Sequence, residues 1–128
     1  MKKKIKPHPT IALDFDGVLN QYSGYRGKAF FGKPRRGVKA FLHSLAEAEI
    51  NVIVFTTRKD FASLERWFAK YSLPQPRKIT NEKPLAQAYV DDRAVRFTGN
   101  YTKLSQDLKT FGVYWRPDTK PFNKLKKR

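Results

Sequence analysis

Thr10-Ile11-Ala12-Leu13-Asp14-Phe15-Asp16-Gly17 is the stretch on which the fold turns. Its opening run reads as a buried β-strand over 10–15, and Gly17 breaks it directly after two carboxylates. Side chains at i and i+2 of a strand share a face. Asp14 and Asp16 would then repel each other unless a cation or a proton sat between them. Burying the pair without such a partner would be costly. The pair therefore asks for a metal, a proton-sharing reaction, or both.

Outward from this strand, apolar and polar stretches alternate. Residues 20–35 are rich in Gly, Tyr and basic side chains and read as a loop or small hairpin. Val38, Phe41, Leu42, Leu45 and Ala46 fall at helical spacing, which predicts an amphipathic helix over about 36–48. Ile50 to Phe55 is apolar at nearly every position, as a parallel strand covered on both faces should be. Asp60 is placed to cap a helix with Phe61, Leu64 and Phe68 inside, ended by Leu73-Pro74-Gln75-Pro76. Arg77–Thr80 and Ala88–Val90 read as short strands, and Thr102 as the cap of a last helix with Leu104, Leu108 and Phe111 inside. Val113–Trp115 reads as an edge strand. Strands alternating with helices imply βαβ units and a mostly parallel sheet.

In such sheets the working crevice lies at the carboxyl ends of the strands. Asp14 and Asp16 end the first strand, Thr56 and Thr57 the second, and Asp91 and Asp92 a later one. Acids and hydroxyls from three strand ends thus converge on one rim. Phosphoryl transfer to a carboxylate needs such a set. Asp14 is the candidate nucleophile, and Asp16 the general acid that later serves as base. Asp91 or Asp92, with Asp14 and a backbone carbonyl, would hold Mg²⁺, which prefers hard oxygen ligands. Asp16 joins that metal set through its backbone rather than its carboxylate. Thr56 would position the phosphoryl oxygens and Lys83 would offset their charge. Thr57, Arg58 and Arg93 are candidate substrate contacts.

Four segments, in order, resemble the motifs of the haloacid dehalogenase superfamily. They are Asp14-Phe15-Asp16-Gly17-Val18-Leu19, Val54-Phe55-Thr56-Thr57-Arg58, Lys83-Pro84 and Tyr89-Val90-Asp91-Asp92-Arg93. The resemblance spans roughly residues 10–97, and nothing from about 98 onward takes part. It implies a Rossmann-like three-layer sandwich, a Mg²⁺ cofactor and an aspartyl-phosphate intermediate. Asp16 matches the phosphatase branch, because dehalogenases lack that acid. The stretch at 19–37 leaves room for a short flap only, and 58–82 holds one helix and a short strand, too little for the cap domain that many members carry, so an open, capless site is expected.

Composition bears on the substrate. The chain has 128 residues, enough for one domain with a real core, and 40% hydrophobic content. Cysteine is absent, which rules out disulfides and thiolate metal sites and fits a reducing, cytoplasmic setting. No apolar run is long enough to span a membrane, and the basic start lacks the apolar core of a signal peptide. The expected organisation is a basic leader at 1–9, a catalytic domain at 10–116 with a flap at 20–35, and a basic tail at 117–128. The net charge of +16 favours an anionic substrate or partner, a nucleotide or a nucleic-acid end phosphate, over a purely solubilising surface. Tyr22 and Tyr25, interleaved with Arg26 and Lys28, are placed to clamp a base and its phosphates, or else to pack the flap on the core. His8, His43, Trp67 and Trp115 read as surface or packing residues.

Two further classes compete with a phosphatase. A nucleic-acid or phospho-ligand binding module could keep this fold with little or no catalysis. A phosphorylatable receiver domain would place its nucleophile on a middle strand, without the Asp-x-Asp arrangement. A P-loop NTPase is excluded, since no Gly-x4-Gly-Lys-[Ser/Thr] occurs.

Overall fold

The computed structural model describes residues 8–126. The expected basic leader and tail therefore lie partly outside the described residues, at 1–7 and 127–128. The elements run β1 (Thr10–Leu13), α1 (Val38–Glu47), β2 (Asn51–Phe55), α2 (Phe61–Lys70), β3 (Lys78–Thr80), β4 (Ala88–Val90) and α3 (Tyr101–Thr110). One compact unit ends at Val90 and a second begins at Asp91.

In the first unit the strands form one sheet in the order β3-β2-β1-β4, every pair parallel. The chain steps outward from β1 through β2 to β3, then crosses back to place β4 on the far side of β1. That reversal makes the β1/β4 carboxyl edge the switch point where open α/β sheets bind ligands. Leu13 pairs with Val90 and with Val54, so β1 and β4 end level and β2 runs one residue further, to Phe55. This is a Rossmann-like α/β fold of the three-layer sandwich class, without a cap domain.

Periodicity explains α1 and α2, whereas Leu104, Leu108 and Phe111, expected inside at α3, are only half-buried. Val38, Leu42 and Leu45 of α1, and Leu64, Trp67 and Phe68 of α2, are buried and join Leu13, Phe15 and Val54 in one apolar cluster. Leu13, Phe15, Leu64 and Phe68 are fully buried, each contributing about 1.5–3 kcal/mol. The Trp67 ring meets Phe15 edge-on at 4.8 Å, and its indole N–H donates to Gly32 O at 2.8 Å. Asp60 caps α2 as expected, accepting from Ser63 N–H.

Four expectations are corrected. β1 ends at Leu13, because the chain turns at Asp14, where its N–H takes the last ladder bond to Val90 O. β2 is fully buried only at Val54, so the sheet is less covered than its apolar run implied. Asn100, not Thr102, caps α3, its extended backbone letting the side chain accept from Lys103 N–H. Val113–Trp115 forms no strand. There the backbone turns, Arg116 N–H donating to Val113 O, and Phe122 packs against Phe111 at 6.3 Å. Among the described residues no helix is long and apolar enough to cross a membrane.

Candidate active site

The alternation of β1 persists past its last ladder bond. Leu13 and Phe15 enter the core, while Asp14 and Asp16 stay out of it, half-buried. Phe15 is the anchor: its carbonyl accepts from Leu19 and Asn20 N–H, folding the chain into a tight turn. Gly17, at φ 85, occupies the left-handed position of that turn.

Asp14 and Asp91 follow directly on Leu13 and Val90, which are paired neighbours. Strand register thus ends β1 and β4 at adjacent positions, directly before Asp14 and Asp91. Asp14, Asp91 and Asp92 can each offer a carboxylate oxygen to one metal ion. This all-carboxylate set, lacking sulfur and imidazole, fits a hard divalent cation such as Mg²⁺. Within the second unit, Asp91 Oδ1 accepts from Arg93 N–H at 2.7 Å, and Asp92 Oδ2 accepts from the Trp115 indole at 2.6 Å. Such outer hydrogen bonds orient a ligand and leave its other oxygen for an ion. Trp115 therefore does more than pack.

Asp16 has a different environment. Its two carboxylate oxygens accept from Arg58 Nε and Nη2 at 2.7 and 2.8 Å, a bidentate pair with little exposure. Asn20, almost fully buried, donates to Asp16 Oδ1 at 3.1 Å and accepts from Gly17 N–H at 2.9 Å. Arg58 also donates to Lys28 O and Phe30 O and stacks on the Phe31 ring at 4.4 Å. A residue expected to face substrate is thus the tie between Asp16 and the 20–35 loop. Asp16 offers no carboxylate to the metal group.

The other candidates are spread along the same edge. Thr56 is buried, its Oγ1 accepting from Arg58 N–H and its own N–H bonded to Thr80 O. Its hydroxyl proton can still be donated. Thr57 is exposed and, with Tyr22, Tyr25 and Arg58, lines a cleft beside Asp16. Lys83 is exposed and sits over the Tyr89 ring at 4.8 Å, while Tyr89 OH holds Pro84 O at 2.6 Å. Since Tyr89 pairs with Ala12, Lys83 lies over the sheet face on which the alternation continues to Asp14. Arg93 stacks on Trp115 at 5.5 Å.

Asn20 and Trp115 were not anticipated. Asn20 had a local signal, an amide four residues past Asp16 across a Gly turn. Trp115 had none, because its partner lies 23 residues away. At Asp60 the Ser63 hydroxyl, then Ser63 N–H, hold the carboxyl below the ordinary range.

No protein-family model and no curated protein sequence matches the chain. A solved structure, that of a conserved protein from Bacteroides thetaiotaomicron, is similar with a TM-score of 0.58. The two share 17% identity over 88% of this chain and 99% of that one. At that identity the likeness shows the fold alone.

Proposed function

We propose that the chain is a Mg²⁺-dependent phosphomonoester hydrolase of the haloacid dehalogenase type, acting on a nucleotide or a nucleic-acid end phosphate. The observation that carries this reading is the grouping of Asp14 with Asp91 and Asp92 at the β1/β4 edge. Thr56, at the end of the neighbouring strand β2, adds a hydroxyl to the same rim.

In this reading an Asp14 oxygen attacks phosphorus, the bond to the leaving oxygen breaks, and Asp16 gives that oxygen its proton. Water then attacks the aspartyl phosphate, Asp16 takes its proton, and inorganic phosphate leaves with Asp14 regenerated. Bound Mg²⁺ would supply charge neutralisation for the phosphoryl oxygens. Thr56 holds one of those oxygens by its hydroxyl. Arg58 must release Asp16 for the proton transfer, because both carboxylate oxygens are engaged at rest.

That engagement favours a second reading, a phospho-ligand binding module with little catalysis. The two separate in one assay. The enzyme hydrolyses an aryl phosphate with Mg²⁺, stops with EDTA and recovers when Mg²⁺ returns. A module shows no turnover with any divalent ion yet still binds phosphorylated ligand.

A further inference from the structure

Two cavities of the first unit differ in kind. One of about 200 Å³ lies at the amino ends of β2 and β3, against Leu42, Asn51 and Arg77, away from the aspartates. The other, of about 560 Å³, opens beside Asp16, within the size range of small-molecule sites. One wall is the 20–35 loop, with Tyr22, Tyr25, Lys28 and Phe31, and the other is the β2–α2 connection, with Lys59.

The aromatic residues of this loop divide by task. Phe31 packs on the core, edge-on to Phe15 at 6.1 Å, and lies under Arg58. Tyr25 is 75% exposed, far more than packing would require. The charges divide as well. Asp16 is matched by Arg58, and the Asp60 carboxylate accepts from Ser63 N–H and hydroxyl. Lys28 and Lys59 are exposed and form no ion pair among the described residues. Residues 20–35 carry four basic side chains and no acid. The cleft thus presents an aromatic surface and more cations than anions, Arg58, Lys28 and Lys59 against Asp16 and Asp60. A free mononucleotide has a single phosphate, which the aspartate site would engage. Lys28 and Lys59 call for a second anion close by.

We propose that the cleft takes the terminal nucleotide of a phosphorylated single strand, its base stacked on Tyr25 and Tyr22 and the next phosphodiester against Lys28 and Lys59. The inference rests on the phosphatase reading only for which phosphate faces Asp14.

The test is equilibrium binding of a 5′-phosphorylated pentathymidylate with a 3′ fluorophore, followed by anisotropy. Asp14→Asn protein with Mg²⁺ and wild type in EDTA are run in parallel, so that the probe is not consumed. Competitors are unphosphorylated pentathymidylate, thymidine monophosphate and ribose 5-phosphate. The phosphorylated strand should compete about tenfold better than the mononucleotide, and ribose 5-phosphate worst of all. Tyr25→Ala should weaken strand binding about tenfold, and its exposure keeps the fold intact. Lys28→Gln and Lys59→Gln should each lower the log–log salt slope by about 0.7. Equal competition by mononucleotide and strand, an unphosphorylated strand that competes as well, or a neutral Tyr25→Ala would each overturn the assignment. Strand binding without hydrolysis by wild type would overturn the phosphatase and leave the cleft. Aryl phosphate hydrolysis without strand preference would do the reverse.

Discussion

At the scale of single residues, Asp14 and Asp16 separate by the company each keeps. Asp14 shares its surroundings with other acids, whereas Asp16 is held by Arg58 and Asn20. Replacing one acid of a crowded, metal-free group relieves repulsion. Asp91→Asn should therefore raise the thermal midpoint in EDTA and abolish the stabilisation that Mg²⁺ gives wild type. A lower midpoint in EDTA with an intact Mg²⁺ response would contradict the metal assignment. Arg58→Ala leaves Asp16 without its bidentate partner, and urea unfolding should register a loss of about 2–3 kcal/mol. An Asp16→Asn, Arg58→Ala double-mutant cycle should return a coupling of about 1–3 kcal/mol; zero coupling would mean that the pair holds nothing together. The acids and Thr56 were legible because they follow apolar runs that fix strand ends. The Arg58–Asp16 pair was not, because 42 residues separate its members and helical or strand periodicity says nothing of what crosses a rim.

Among the elements, the 20–35 loop is fastened at its base and at Arg58. Gln21 N–H donates to Lys33 O at 2.7 Å, and a Cβ on Gly32 would stand 2.0 Å from Gln21 O. Gly32→Ala should force the two limbs apart and cost about 1–3 kcal/mol, read by urea unfolding. Helix α2 depends on its cap. The Asp60 carboxyl is held below the ordinary range by Ser63, so its contribution is present above the unfolded-state value and is lost as pH falls through the lower folded value. Asp60→Ala should lower the thermal midpoint at neutral pH and progressively less on acidification. A deficit that grows toward low pH would reverse that sign. The Asp60 cap could be read from sequence, since an acid precedes the periodic run. The α3 cap was misread by two residues because Asn100 and Thr102 are both capping types, and backbone angles choose between them. Val113-Tyr114-Trp115 has strand propensity, but the turn into Pro117 and the close approach of Gly112 to Thr119 O override it.

Across the whole molecule, the charge of +16 acts on the stability of the fold. Self-repulsion opposes the compact state. Raising ionic strength from about 0.01 to 0.15 M shortens the screening length from about 30 to 8 Å and should raise the urea midpoint. A falling midpoint would mean that attractive pairs dominate instead. The fold class was legible because βαβ alternation leaves few topologies, and short connections already excluded a cap. The degree of coverage was not, since an apolar strand reads alike whether one face or both are packed, as β2 illustrates. The central claim is that Asp14 carries the phosphoryl group. It is tested most directly by acid-quenching wild-type protein during turnover of a ³²P-labelled phosphomonoester with Mg²⁺, then mapping the label by peptide. The account predicts a hydroxylamine-sensitive label on Asp14, absent from Asp14→Asn together with all hydrolysis. Turnover by Asp14→Asn, or a label on another residue, would contradict it.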